Sequence, residues 1–342
     1  MAEVLFVSKP VVPPWNDSSK NLVRDIAGHL ERHEPILAKS AGRMAIFEKL
    51  LLGRSPEVWH FFFAPNLRSS SAARLARAVR RVPSVHTVCS LPAEGVATRM
   101  LLFADRTVAL SRFAYDRFIR EGVSESALRL IPPCVPALAA PSDRERTELR
   151  NKHGLPNGVP VWIYPGDVEF GDGAQIALEG FATANRRDAI LLMACRRKTP
   201  AADGALSRLH AQAKGWGIDR RVLWPGDTVH IQDLLALSDF VLMVNRTAYA
   251  KMDYPMVALE AMCLERPVLV AQGTPSAELA EMGGAFAIEP SADALAEAIE
   301  TLSSDDARRK ALGAKAHTLV TSKFSPREVA AAYELLYEEV RA

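Results

Sequence analysis

The stretch "KMDYPMVALEAMCLERPVLVA", residues 251–271, sets a lone carboxylate and several side-chain donors at the mouth of a short helix. An apolar run ends near Asn245, a polar loop follows, and Pro255 opens a helix whose early turns carry Glu260. The helix stops at Pro267 and the apolar run 268–271 begins at once. A helix start in that setting offers backbone N–H groups and the positive end of a dipole, which suits an anion. Two other stretches bear on the same chemistry. "CRRKTP", residues 195–200, brings Arg196, Arg197 and Lys198 to the end of another apolar run, and "YPGDVEFGDGAQ", residues 164–175, brings Asp167 and Asp172.

The elements that must position these residues follow from periodicity. Apolar runs of strand length fall at 4–8, 35–38, 58–63, 84–88, 106–111 and 128–131, and again at 161–164, 189–194, 222–224, 240–244, 268–271 and 285–287. Helix-length amphipathic segments separate them, the rhythm of a parallel α/β fold. Residues 138–158 are rich in proline and charge and form the linker, with a short helix expected inside it. The expected division is therefore a first domain over 1–137, the linker 138–158, a second domain over 159–324 and a closing helix over 325–342. Ser325 is the expected cap of that helix, with Pro326 in its first turn. Two doubly wound, Rossmann-like sheets put ligands at the C-terminal ends of their strands, in a cleft between the domains.

Composition narrows the classes. The chain has 342 residues, 49% hydrophobic and 24% charged, enough to bury two cores. No apolar run nears the ~18 residues a membrane span needs. "MAEVLFVSKP" is a strand and not a signal peptide, and the four scattered cysteines have no ligand spacing, so a cytoplasmic protein with reduced thiols and no bound metal is expected. Net charge is +2, but residues 1–140 hold 19 Lys/Arg against 12 Asp/Glu, leaving 23 against 28 for the rest. That basic half could attract anionic lipid headgroups, a phosphorylated acceptor or nucleic acid. A dinucleotide fold wants G-x-G-x-x-G after the first strand. The turn here, "SKPVVPPWNDSSKN", has no glycine, so a dehydrogenase is excluded, and no P-loop is present.

Taken in order, a set of motifs resembles one family over essentially the whole chain. "PPWNDSSKNLVRDIAGHL" is similar to its first loop and helix, and "ADRTVALSRFAYDRFIREGVSESALRLIPPCV" to its exit from the first domain. "VPVWIYPGD", "LWPGDTVHIQDLLALSDFVLMVN", "YPMVALEAMCLERPVLVA" and "GTPSAEL" resemble its later strand, glycine turn, glutamate helix and closing turn. The family is the retaining GT-B glycosyltransferases of glycosyltransferase family 4, which includes sucrose and glycogen synthases. The resemblance implies two Rossmann-like domains facing a central cleft, with the last helix crossing back to the first domain. It implies a nucleotide-sugar donor, transfer to a hydroxyl acceptor with retention, and neither metal nor cofactor. The acceptor could be a glycan, a lipid-linked glycan or a small molecule. Contact with the anionic inner face of a membrane is compatible with this, and nucleic acid is not an expected partner.

Residue by residue, Glu260 matches the glutamate that accepts hydrogen bonds from the ribose diol; its two oxygens can take both hydroxyls. Tyr254, Met256, Val257, Gly166, Asp172, Arg197, Lys198, Gly226 and Thr228 complete the expected donor set. Lys251, Asp253 and Arg196 are the expected catalytic group. The first domain would present Asn16, Asp17, Ser18, Ser19, His60, Asn66 and Ser111 to the acceptor. Several positions depart from the family. Its second glutamate is Met252, its glycine before the helix is Pro255, which has no N–H, and its two phosphate-binding cations are Asp167 and Asp172. A carboxylate about 5 Å from a diphosphate charge costs roughly 3 kcal/mol at an effective dielectric near 20. Either Arg196, Arg197, Lys198 and Lys251 supply the missing charge, or a divalent ion bridges an aspartate to phosphate, or the chain is a non-catalytic relative that binds a nucleotide or scaffolds a partner transferase.

Overall fold

The computed structural model describes residues 1–13, 15, 17–37, 56–92, 95–184, 186–226, 230–247 and 251–342. Asn16, Thr228 and the amphipathic stretch 43–54, expected as a core-facing helix that could also touch a lipid surface, lie outside the described residues.

Twelve strands are found among the described residues, in two six-stranded sheets. The first sheet comprises β1 (Ala2–Val7), β2 (His33–Leu37), β3 (Val58–Phe63), β4 (Ser84–Val88), β5 (Arg106–Ala109) and β6 (Leu128–Leu130), in the order β2-β1-β3-β4-β5-β6. The second comprises β7 (Val161–Tyr164), β8 (Ile190–Met193), β9 (Val222–Leu223), β10 (Phe240–Met243), β11 (Val268–Ala271) and β12 (Phe286–Ile288), in the order β12-β11-β10-β7-β8-β9. Every pairing is parallel. These are the apolar runs of the sequence, with ends moved by a residue or two. Most are buried along their length because helices cover both faces of a parallel sheet. The α/β fold expected from the sequence, two doubly wound parallel sheets of the GT-B type, is the fold observed.

The chain divides into two compact units. One holds Met1–Pro136, Ala248–Met256 and Lys323–Ala342; the other holds Ala137–Thr247 and Val257–Ser322. In the second unit the core is built around β7 and β10, where the rings of Trp162 and Phe240 stack 3.7 Å apart. The linker helix Asp143–Lys152 starts with a capping box, Ser142 with Glu145, and packs on this unit. Its Arg150 donates to Asp239 Oδ2 (2.8 Å), which also accepts from the Val161 backbone N–H (2.8 Å).

The last helix, Pro326–Arg341, belongs to the first unit and lies against β3, β4 and the helix Ser18–Ala27. Ser325 stands at its start but makes no side-chain capping bond, so the cap expected there is absent; Pro326 alone fixes the entry. Tyr333 and Tyr337 are fully buried on its inner face. Its Glu334 accepts from the backbone N–H groups of Glu31 (2.8 Å) and Arg32 (2.5 Å).

Candidate active site

In the second sheet the strand order reverses between β7 and β10, and the C-terminal ends of those two strands form the crevice where such folds take ligands. The loop after β7 is shaped by Tyr164 and Asn245. Tyr164 Oη donates to the Asp167 carbonyl (3.1 Å), and Asn245 Oδ1 accepts from the Gly173 N–H (3.1 Å). The space left is so small that a Cβ on Gly166 would meet the Tyr164 ring at 2.4 Å, and one on Gly173 would meet Asn245 Oδ1 at 2.5 Å. Glycine at 166 and 173 is thus a packing requirement of the loop.

The two aspartates of this loop are not exposed as bare negative charge. Asp167 is buried and paired twice, with Arg196 Nε at 3.2 Å from Oδ1 and Lys198 Nζ at 2.7 Å from Oδ2. A backbone bridge between Asp167 and Arg196 holds the loops after β7 and β8 in register, and Glu169 Oε1 accepts from the N–H groups of Lys198 (2.7 Å) and Thr199 (2.8 Å). Asp172 accepts from the Arg246 backbone N–H and from its guanidinium, each at 3.0 Å. The bare repulsion expected between these aspartates and a diphosphate is therefore corrected: Asp167 and Glu169 with Arg196 and Lys198 sum to zero, as does Asp172 with Arg246. Arg197 turns elsewhere, its Nη1 lying 3.6 Å from Asp203.

Glu260 sits in the helix Met256–Cys263, which follows β10 and leads to β11. It is buried, and its Oε1 accepts from Gln232 Nε2 at 3.0 Å. Gln232 lies in the helix Ile231–Leu237 that precedes β10, so two helices flanking one strand set the carboxylate's direction. The first-turn N–H groups of Met256 and Val257 have no acceptor within their own helix. Gly226 takes φ +73, the left-handed conformation that favours glycine, in the turn before Ile231–Leu237.

In the first unit, Asp17 caps the helix Ser18–Ala27. Its Oδ1 accepts from the Ser19 and Lys20 N–H groups (3.0 and 3.3 Å) and from Ser19 Oγ (2.6 Å), while Lys9 Nζ lies 2.5 Å from Oδ2. Burial alone would raise the Asp17 pKa, but the bonds from Lys9 and Ser19 outweigh it and hold the carboxyl at about 2. Ser18, in the first turn, is half-buried. Ser111 caps the helix Arg112–Arg120 by accepting from the Ala114 N–H (3.0 Å), and its hydroxyl donates to Asp253 Oδ2 (2.7 Å). Asp253 and Tyr254 are buried and Lys251 is half-buried. Asn66 Oδ1 accepts from the Ser69 N–H (3.0 Å) as the cap of the helix Leu67–Arg80.

His60 is a correction to the acceptor set. It is fully buried in β3, with Nδ1 2.6 Å from Tyr337 Oη and Nε2 2.8 Å from Thr87 Oγ1, so both nitrogens are engaged inside the core. Burial holds its pKa well below the ordinary value, so the ring is neutral. Its task is to dock the last helix. Gln232, Arg246, Asn245 and Lys9 are the polar residues that sequence reasoning missed. Arg246 and Asn245 stand just past an apolar run, the one position signal that could have drawn attention to them. Among the described residues, no group of three His, Cys, Asp or Glu side chains is placed to hold a metal ion.

Residues 145–318 match the family model described as Glycosyl transferases group 1, 174 of 342 residues. The chain belongs to the group 1 glycosyl transferases. Among solved structures, this glycosyltransferase is similar in fold to Anabaena Alr3699/HepE in complex with UDP-glucose, with a TM-score of 0.80 at 19% identity over 99% of this chain and 100% of the other. It is similar to a glycosyltransferase from Rickettsia africae ESF-5, with a TM-score of 0.77 at 15% identity over 99% and 98%. A third is the sucrose-phosphate synthase of Thermosynechococcus elongatus, with a TM-score of 0.74 at 18% identity over 99% of each chain. No curated protein matches this glycosyltransferase in sequence.

Proposed function

We propose that this glycosyltransferase moves a sugar from a nucleotide-diphosphate sugar to a hydroxyl acceptor, with retention at the anomeric carbon and without a metal, as a family 4 type enzyme of the cytoplasm. The observation that carries the reading is Glu260: a buried carboxylate, aimed by Gln232, on a helix that begins at the ligand edge of a doubly wound sheet. In this reading the two Glu260 carboxylate oxygens accept from the two ribose hydroxyls. The helix start at Met256 and Val257 faces the diphosphate. Arg196 and Lys198, held in place by Asp167 and Glu169, stand in for the family's two phosphate-binding cations. UDP and UDP-glucose in the HepE complexes are in keeping with such a donor.

With no protein nucleophile required, the rate would come from positioning and from cations near the departing phosphate, Arg196 and Lys198 first, with Lys251 assigned the same role by resemblance. Asp17, Ser18, Ser19 and Ser111 are the acceptor-side polar groups of the first unit. A non-catalytic reading is favoured by one set of observations, Met252 and Pro255 in place of the family's glutamate and glycine. A thermal-shift panel of UDP, GDP and ADP, followed by turnover of the matching sugar donors with and without EDTA, separates the two. A stabilising nucleotide with EDTA-insensitive turnover and a product of unchanged anomeric configuration supports the enzyme; binding with no hydrolysis or transfer supports the scaffold.

A further inference from the structure

The helix Leu67–Arg80, in the first unit, carries an outward face that the donor chemistry does not use. Leu67, Leu75 and Val79 on it are 66%, 58% and 63% exposed, and Met100 of the short neighbouring helix Thr98–Leu101 is 61% exposed. Arg74 and Arg77 clamp the two segments together. Arg74 Nη2 donates to the Leu102 carbonyl (2.8 Å) and to that of Met100, and Arg77 pairs with Asp105. Ser71, Ala72 and Ala78 are the small exposed residues between those tips. The helix itself carries charge of one sign. Residues 58–92 contain Arg68, Arg74, Arg77, Arg80 and Arg81 and no Asp or Glu, and Arg99 lies beside Met100. Arg68, Arg81 and Arg99 are exposed, and none of the three makes an ion pair among the described residues.

We propose that this face is a docking surface for an anionic lipid bilayer, with Leu67, Leu75, Val79 and Met100 entering the boundary of the acyl layer and Arg68, Arg81 and Arg99 meeting the headgroups. Isolated large apolar tips on a cationic helix that carries no acid are the combination that binds the interface of negatively charged membranes. A second copy of the chain fits poorly, because a two-fold contact would set these arginines against one another. The proposal stands independently of the donor site, since binding to lipid needs no sugar transfer.

Co-sedimentation of the full chain with vesicles of phosphatidylcholine alone and of 70:30 phosphatidylcholine:phosphatidylglycerol is the test. Binding is expected only to the anionic vesicles, weakening as salt is raised. Leu75→Ser with Val79→Ser is expected to lower partitioning at least tenfold, and Arg68→Glu with Arg81→Glu roughly 25-fold, about fivefold per arginine. All four positions are solvent-facing, so the thermal midpoint should hold. Ser71→Trp, on the same face, guards against a variant that misfolds: its emission should shift to the blue on adding anionic vesicles. No binding to either vesicle, equal binding to neutral ones, an unshifted Ser71→Trp, or a dimer by light scattering that the Leu75→Ser, Val79→Ser pair converts to monomer would each overturn the proposal.

Discussion

The two sheet edges of this protein are built on one plan and dressed with different chemistry. Past β7, β8 and β10, the second unit gathers charge and then balances it: Asp167 with Arg196 and Lys198, Asp172 with Arg246. Past β1 and β5, the first unit gathers caps and hydroxyls: Asp17 on Ser19, Ser111 on Asp253. The second edge sets paired cations near the buried Glu260 carboxylate. The difference teaches that position in the fold selects where ligands go, while a few loop residues select which ligand. In the proposed reading an anionic nucleotide takes the second edge and the hydroxyl acceptor the first.

Breaking the second edge should have the largest effect. Glu260→Ala removes two charge-assisted bonds to the diol, about 3 kcal/mol in all, or ~10²-fold in nucleotide affinity by calorimetry, with Gln232→Ala showing a lesser loss through misdirection. Arg196→Glu with Lys198→Glu turns the net charge around Asp167 and Glu169 from zero to strongly negative. Nucleotide affinity should fall by roughly 10²-fold and the residual binding should strengthen as salt screens the repulsion. Unchanged affinity in that double variant would remove the charge account of the edge. Ser111→Ala breaks the first edge instead, and should raise the acceptor KM severalfold while leaving nucleotide affinity alone.

Acid sharpens the contrast between edges and core. Burial lowers the His86 pKa from 6.5 to about 4, and His60 shifts in the same direction. The unfolded chain therefore takes up protons first as pH falls, so the stability linked to His86 is whole above about pH 6.5 and erodes between there and about 4, with His60 acting in the same sense. For His86 alone the full effect is about 3 kcal/mol. Asp17, lowered from 3.8 to about 2, adds a further loss between those values. Thermal midpoints should drop steeply from pH 7 to pH 4, and His86→Phe should flatten part of that slope. Tyr337→Phe, which removes the hydroxyl at His60 Nδ1, has the smallest expected effect: about 1 to 2 kcal/mol of stability at neutral pH and no change in donor KM.

The strands were legible because strands of a sheet covered on both faces are mostly apolar, and the twelve runs were short, apolar-rich and separated by helix-length segments. Glu260 was legible because the helix that bears it is bracketed by Pro255 and Pro267 in one short stretch. The charge pairing was not. Asp172 and Arg246 are 74 residues apart, and only the order β10-β7 in the sheet brings their loops together. Gln232 lies 28 residues before Glu260 on a different helix, with no sequence mark to set it apart from a solvated glutamine. His60 was misassigned for the same reason. Its partner Tyr337 is 277 residues away on a helix that docks on the first sheet. Histidine in a strand signals a polar role but not which surface it serves.

The central claim is that Glu260 receives the ribose diol of a nucleotide. Calorimetry with UDP, GDP and ADP, and with the 2′,3′-dideoxy form of whichever binds, tests it on the wild type and on Glu260→Ala. The account predicts that losing the hydroxyls weakens binding to the wild type by roughly 10²-fold and to the variant hardly at all. A dideoxy nucleotide that binds the wild type as tightly as its parent, or that loses as much affinity in the variant, would contradict it.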